Sequence, residues 1–258
     1  MKLTRLPPEL QLLIAEKLES RELSHLSRAN HHFHSLCAPA LDRLAKDPGR
    51  PHCPLQWAIA MNRLPLIQFL LSRGHDINRL EGRLYSGTAL HVAVGRRNYP
   101  LIRLFLQNPA VDLNRLDMCG DTALNNAIEV RSLEAVELLH AAGADLEITN
   151  RSGKTALLLA LSYQDEGIAE FLMRNGADVN ARLTAGARLY VTPLQFLVNL
   201  GSEGLVRLAL EHGADPEVRN REHQRAIDIA AARGVTGLVD ILREVSLPPL
   251  DMDVESDL

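Results

Sequence analysis

Thr88-Ala89-Leu90-His91-Val92-Ala93, Thr122-Ala123-Leu124-Asn125-Asn126-Ala127, Thr155-Ala156-Leu157-Leu158-Leu159-Ala160 and Thr192-Pro193-Leu194-Gln195-Phe196-Leu197 are four copies of one pattern, and their repetition decides the fold. Two weaker copies flank them, Cys53-Pro54-Leu55-Gln56-Trp57-Ala58 and Arg225-Ala226-Ile227-Asp228-Ile229-Ala230. The second residues of the six copies stand at positions 54, 89, 123, 156, 193 and 226, at intervals of 35, 34, 33, 37 and 33. A second marker trails each of the first five copies in phase. These markers are Gly74-His75-Asp76-Ile77-Asn78, Ala110-Val111-Asp112-Leu113-Asn114, Gly143-Ala144-Asp145-Leu146-Glu147, Gly176-Ala177-Asp178-Val179-Asn180 and Gly213-Ala214-Asp215-Pro216-Glu217. A fixed period of this length is the signature of stacked supersecondary units, each too small to bury its own apolar faces alone.

Within a unit the residues predict two short helices. The first starts at the Thr, whose hydroxyl can take a free N–H of the first turn. The second carries apolar residues three and four apart, as in Leu133, Val136, Leu138 and Leu139, which places them on one face. The Gly of the second marker ends that helix by accepting a left-handed backbone. Pro100 is tolerated where a helix opens, and Asn108-Pro109-Ala110-Val111 in place of Gly-Ala predicts a different helix end there. The interval of 37 comes from Leu183–Val191, an enlarged finger between the fourth and fifth units. The last copy lacks the second marker and runs into Leu247-Pro248-Pro249, which stops helix.

These markers resemble the ankyrin repeat, with its TPLHxA start and GADVN end, over roughly residues 51–245. The resemblance implies an all-α ankyrin-repeat solenoid, built of helix-turn-helix repeats with β-turn fingers. Five full repeats would be closed by a C-terminal half-repeat acting as a cap. Residues 246–258 are expected to be an acidic disordered tail.

Residues 1–45 do not fit the repeat. The pair Pro7-Pro8 can start a helix. Leu10, Leu13, Ile14 and Leu18 share one face of it. Ser20 can cap a second short helix carrying Leu23 and Leu26, and a third is expected near Asn30, with Phe33 and Leu36. About 40 residues is the lower limit for independent folding, and each exposed Leu or Ile forgoes roughly 1.5–3 kcal/mol, so another surface is expected to cover this one. The order Leu6-Pro7-Pro8-Glu9-Leu10, a spaced apolar face, Leu23-x-x-Leu26 and then Phe33 resembles an F-box preceding the repeats. Ala29-Asn30-His31-His32 stand where F-boxes often carry Cys and Arg. The resemblance implies docking of Leu6, Pro7, Leu10, Ile14, Leu18, Leu23, Leu26 and Phe33 on a Skp-type adaptor of a cullin–RING ubiquitin ligase. Under that reading the chain is a non-catalytic substrate-recognition subunit, the ankyrin face holding the target. The alternative is a scaffold or transcriptional coregulator with no ligase link, in which residues 1–45 cap the repeats.

Composition narrows the classes. Of 258 residues, 46% are hydrophobic and 23% charged, a foldable mixture. Net charge is −4, and the last 13 residues hold four acids and no Lys or Arg; setting those four aside leaves 28 acidic residues against 28 basic. A nucleic-acid binder normally carries a basic excess, so none is expected as a partner. No apolar stretch approaches the ~18 residues of a membrane helix, and no signal-peptide pattern opens the chain. The three cysteines, Cys37, Cys53 and Cys119, fit neither a metal nor a disulfide framework. Together these predict a cytoplasmic or nuclear protein.

No cofactor, metal or catalytic residue is expected. Gly153-Lys154-Thr155 lacks the earlier Gly of a phosphate-binding loop, since Ile148 stands there. His31, His32, His34 and Cys37 have no second ligand pair at finger-like spacing. His91 is expected to bond local backbone. The remaining candidates for target binding are the fingers after each second marker: Arg79 and Leu80, Arg115 and Leu116, Thr149 and Asn150, Arg182 and Leu183, Arg219 and Asn220. Four of these five fingers carry Arg, which suits carboxylates of an acidic partner segment, though a basic residue in such turns also serves solubility. The enlarged finger adds Arg188, Leu189 and Tyr190, and Tyr is a common interface anchor.

Overall fold

The computed structural model describes residues 55, 58–59, 62, 64–72, 74–80, 87–183 and 192–246. The F-box-like positions Leu6 to Phe33, the Leu183–Val191 finger beyond Leu183 and the tail after Ser246 lie outside them. The described residues fold into helices joined by turns, without a strand among them. Two compact units divide at Cys119 and Gly120.

The first unit contains α1 (Leu64–Ser72), α2 (Ala89–Gly95) and α3 (Tyr99–Leu106). Helices α2 and α3 pack as a pair. Their shared core includes Leu90, Val94, Leu101, Ile102 and Phe105, all buried. Asn98 caps α3, its side chain accepting the Leu101 N–H at 3.3 Å, and Pro100 is the second helical residue.

The second unit holds four helix pairs: α4 (Ala123–Glu129) with α5 (Leu133–Ala141), α6 (Ala156–Ser162) with α7 (Glu166–Arg174), α8 (Pro193–Leu200) with α9 (Glu203–Glu211), and α10 (Ala226–Ala232) with α11 (Thr236–Ser246). The first helices pack in sequence, α4 on α6 on α8 on α10, and the second helices do the same, α5 on α7 on α9 on α11. Two rows of helices thus share one core, and α6 shows why: Ala156 to Leu161 are all buried, having neighbours on every side. A seven-residue helix is far below the length that is stable alone in water, so this burial, at about 1.5–3 kcal/mol for each Leu or Ile, holds it.

Each first helix turns into its partner through one left-handed residue. Asn62, Arg97, Arg131, Gln164, Gly201 and Gly234 occupy this place, with φ of 52, 52, 51, 55, 82 and 71°. They recur at the same intervals as the Thr motifs. The next N–H then reaches back to the helix, as Ser132 N to Ala127 O at 3.0 Å and Asp165 N to Ala160 O at 3.1 Å. A non-Gly residue here costs about 1–2 kcal/mol. At Arg131 the guanidinium partly offsets this by donating from Nη2 to Tyr163 O at 2.8 Å. The second helices end as expected at Gly74, Gly143, Gly176 and Gly213, whose φ values run from 79 to 94°. After α3 no such Gly exists, and Asn108 Oδ1 instead accepts the Ala110 N–H at 3.0 Å.

The Thr of the repeat start behaves differently from copy to copy. Thr122 Oγ1 accepts the Asn125 N–H at 3.1 Å, and Thr192 Oγ1 accepts that of Gln195 at 3.5 Å. Thr155 Oγ1 is buried with no partner. His91 Nδ1 accepts from Thr88 N at 3.2 Å and lies 2.8 Å from Thr88 Oγ1, so it bonds locally.

The second markers are hydrogen-bonded devices. In all five the Asp side chain accepts the N–H two residues on: Asp76 to Asn78, Asp112 to Asn114, Asp145 to Glu147, Asp178 to Asn180 and Asp215 to Glu217, at 2.8–3.1 Å. The residue so positioned then reaches the neighbouring repeat. Asn180 donates through Nδ2 to Gly213 O at 2.9 Å and accepts at Oδ1 from Asp215 N at 2.8 Å. Asn78 does the same with Ala110 O and Asp112 N, at 2.6 and 2.8 Å. Glu147 has no donor, and makes only the Asp178 N bond at 2.9 Å.

Two stability changes follow from these ties. Asn180→Ala removes both bonds and is expected to cost about 1–2 kcal/mol in urea unfolding; an unchanged midpoint would show that the tie contributes nothing. Gln195 Nε2 donates to Val218 O at 2.9 Å, whereas Asn125, at the same place one methylene shorter, has a buried Nδ2 without a partner. Asn125→Gln is therefore expected to reach Ile148 O and raise the midpoint, by about 1 kcal/mol; a fall would mean that the site is too tight for the added methylene.

Candidate functional site

The fingers get their shape from one side chain each. Asn150 Oδ1 accepts the N–H of Ser152 at 2.9 Å and of Lys154 at 3.2 Å. Asn220 Oδ1 accepts those of Glu222 and Gln224, both at 2.9 Å. Asp117 Oδ1 accepts the Cys119 N–H at 2.7 Å. The residue three positions after each is left-handed: Gly120, Gly153 and His223, with φ of 83, 69 and 62°. Backbone pairs close two of these turns, Asn150 N to Lys154 O at 3.0 Å and Asn220 N to Gln224 O at 2.9 Å. Such side-chain-to-backbone turns are what Asn and Asp do best.

These turns fix the register of the exposed residues. Counting from the marker Asp, Leu80, Leu116, Thr149, Arg182 and Arg219 are equivalent, and so are Met118, Arg151 and Arg221. Arg79 and Arg115 stand one residue earlier, in line with Ile148, Ala181 and Val218. The arginines of the fingers therefore do not form one row. Arg79, Arg115, Arg182 and Arg219 are all exposed, Leu80 and Asn150 are half-buried, and Asn220 is buried. Asn150 and Asn220 hold the turn, and Arg219 braces it from Nη1 to His223 O at 2.8 Å. Arg188 and Tyr190 lie outside the described residues.

The finger of residues 115–119 differs from the other described ones. Leu116 is 42% exposed and Met118 52%, while Asp117 between them is 9% exposed. Leu116 and Met118 thus flank the buried Asp117 on either side in sequence, both open to solvent. Equivalent positions in the second unit are polar, Thr149 and Arg151, then Arg219 and Arg221, whereas Leu80, equivalent to Leu116, is apolar and half-buried. Met118 was not among the residues singled out from the sequence, because its equivalence to Arg151 and Arg221 depends on the turn register.

In the second unit charge is segregated. The finger stretches 149–155, 182–191 and 219–225 hold seven Lys or Arg and one acid, Glu222. The second helices α5, α7, α9 and α11 hold eight acids and three arginines. Arg225 is partly neutralised, with Nη1 3.2 Å from Glu217 and Nε 3.3 Å from Asp228. The Arg225 N–H and guanidinium hold the Asp228 carboxyl below the usual carboxylate range. Arg151 packs its aliphatic stem over Gly120. On the first-helix row Tyr163 is half-buried; burial first, then the carboxylates of Glu129 and Asp121, push its hydroxyl above the ordinary value.

The family model for ankyrin repeats matches in three copies, over residues 55–150 and 90–182. The chain carries ankyrin repeats. It is 31% identical over 156 residues to a putative ankyrin repeat protein, FPV031, of Fowlpox virus (strain NVSL), covering 60% of this chain and 46% of that one. It is 28% identical over 194 residues to the B-cell lymphoma 3 protein homolog of Mus musculus, covering 74% of this chain and 41% of the relative. The chain thus spans less than half the length of these curated relatives. The crystal structure of the ankyrin repeat domain of Bcl-3, described as a unique member of the IkappaB protein family, superposes with a TM-score of 0.65 at 27% identity, over 76% of this chain and 87% of that domain. The F-box resemblance finds no counterpart in the family match, which begins at residue 55. Ankyrin repeats are protein-interaction modules, and the exposed fingers are where this one differs from repeat to repeat.

The finger separates structural from exposed roles cleanly. Asp117→Ala is expected to lower stability by about 1 kcal/mol, since the turn loses its acceptor. The pair Leu116→Ser and Met118→Ser should leave the urea midpoint within about 0.5 kcal/mol of the parent. Equal losses in both would mean that Leu116 and Met118 pack within the fold.

Proposed function

We propose that the chain is a non-catalytic scaffold that holds a partner protein along its fingers, in the manner of a transcriptional coregulator, in the nucleus or cytoplasm. The observation that carries this is the finger of residues 115–119. Its turn is fixed before any partner arrives, and it presents Leu116 and Met118 to solvent. Preformed geometry lowers the ordering cost of binding, and two exposed apolar side chains two residues apart suit an anchor role. The likeness to the Bcl-3 ankyrin domain supports the coregulator setting. Within the second unit, the basic fingers, with Arg182, Arg219 and Arg221 exposed, suit an acidic segment.

A second reading rests on Leu6-Pro7-Pro8-Glu9-Leu10 and the leucines after it. In that reading residues 1–45 bind a Skp-type adaptor, and the chain recruits a target to a cullin–RING ubiquitin ligase. Proximity then drives ubiquitin transfer by raising effective concentration. The residues concerned are Leu6, Pro7, Leu10, Ile14, Leu18, Leu23, Leu26 and Phe33.

Co-purification with a recombinant Skp-type adaptor decides between the two. The full chain, the Leu6→Ala/Leu10→Ala variant and the Leu116→Ser/Met118→Ser variant are compared. The scaffold reading expects no adaptor on any of them. Adaptor retained by the full chain and the finger variant, and lost from Leu6→Ala/Leu10→Ala, would overturn it in favour of the ligase subunit.

A further inference from the structure

Resting on the reading of the basic fingers as a site for acidic segments, we propose that the open face of α8 is the floor of that site. It takes an apolar side chain of a partner protein that carries a carboxylate on each flank. Phe196, Asn199 and Leu200 lie four, seven and eight residues after Thr192, on one face of the helix. All three are half-buried, whereas Leu194, Gln195, Leu197 and Val198 on the other faces are buried. The eighth position after each repeat start in the second unit reads Val130, Tyr163, Leu200 and Arg233. An apolar stripe thus crosses the row of first helices and ends in a cation.

The floor on α8 lies between two cationic edges. At its start, Gln195 Nε2 donates to Val218 O at 2.9 Å. That bond joins the residue before Phe196 to the residue before Arg219, so the finger carrying Arg219 and Arg221 is anchored at the start of α8. At the other end, Arg233 Nη1 donates to Val198 O at 3.3 Å and to Asn199 Oδ1 at 3.2 Å. Arg219, Arg221 and Arg233 are all exposed. Arg221 makes no hydrogen bond or ion pair with another described residue. Glu222 is the one acid in that finger. Toward α6 the sign of the charge changes: burial first, then Glu129 and Asp121, push the Tyr163 hydroxyl up. A carboxylate is therefore disfavoured beside α6 and favoured at the two ends of α8. An eight-residue helix is about 12 Å long. In an extended segment, side chains on one face stand about 7 Å apart, so two acids four residues apart span about 14 Å. The matching segment is acid, spacer, apolar, spacer, acid, with the apolar residue over Phe196 and Leu200.

The test titrates the full chain into three fluorescent peptides at about 50 mM salt, where charge is weakly screened. Their cores are Asp-Ser-Phe-Ser-Asp, the same with both Asp replaced by Asn, and the same with Phe replaced by Ser. The proteins are the parent and its Leu200→Gln, Arg221→Glu and Arg233→Glu variants, each with its urea midpoint measured. The parent is expected to bind the first peptide about tenfold or more tightly than either other, and each variant to lose about as much. The Ser core tests the floor on the unaltered protein, so the comparison holds should Leu200→Gln disturb α8. Equal binding of the Phe and Ser cores, both lost with Arg221→Glu, would overturn the floor and leave the basic fingers standing. Binding indifferent to Arg221→Glu and Arg233→Glu, or no binding at all, would remove the floor and the acidic-segment reading beneath it. Two further results would also overturn the proposal. Binding gained only by a chain with its last acids neutralised (Asp251→Asn, Asp253→Asn, Glu255→Gln, Asp257→Asn) would give the floor to the chain's own end. A dimer at the titration concentrations, lost with Leu200→Gln, would give it to a second copy.

Discussion

The tie between one loop and the next is the constraint on which the remaining structure depends. A helix of seven or nine residues supplies almost no stability of its own, and apolar burial has no direction. Burial alone would let successive units slide. The side chain of the second-marker Asn supplies direction, because an amide offers a donor and an acceptor at fixed geometry. Asn180 uses both, to Gly213 O and Asp215 N. Those atoms end one second helix and begin the next loop. The register of the second helices, and through them of the fingers, follows from that double bond. The marker Asp prepares it, since its own carboxylate fixes the N–H of the residue that makes the tie.

With the loops held, the fingers are free to vary. Their shape needs only an Asn or Asp and a residue that tolerates left-handed backbone three positions later, and Asp117, Asn150 and Asn220 provide the first. Every other finger position is open to selection for contact. That division explains how one finger can expose Leu116 and Met118 while the equivalent places hold Arg219 and Arg221. It also explains why acids collect on the second helices and bases on the fingers of the second unit. The helix faces need only solubility, whereas the fingers carry specificity, and charge of one sign along an edge steers partners of the other.

The repeat, its helices and their ends were legible in the sequence because apolar period, Thr and Gly each act locally. Helix ends at Gly143, Gly176 and Gly213 fell where the glycines stood. The turns between paired helices were not legible. Arg97, Arg131 and Gln164 adopt left-handed backbone without any compositional sign, and only packing of both helices imposes it. The finger register was half legible. Reading the residues just after each marker as one finger set grouped Arg79, Arg115, Arg182 and Arg219, but the first two stand one residue earlier than the last two. The signal that could have aligned Arg115 against Arg219 was the Asx residue five before each repeat start: Asp117 before Thr122, Asn150 before Thr155 and Asn220 before Arg225. A side chain that folds back on its own backbone leaves no periodic trace, so pattern counting passes over it.

The same reasoning bears on what the exposed arginines can do. Arg225 stands near Glu217 and Asp228, and its charge is partly neutralised within the fold. Arg219 spends one donor and keeps the others. Arg221 spends none that the described residues can receive. A gradient therefore runs through a single finger, from a structural cation at its base to an available one at its tip. Exposed ion pairs contribute little to stability, about 0–1 kcal/mol, so the tip cation adds almost nothing to folding by remaining unpaired. Its contribution can only appear when a carboxylate arrives with spacing that matches Arg219 and Arg221 together, because two matched pairs share one ordering cost where two separate ones would each bear it.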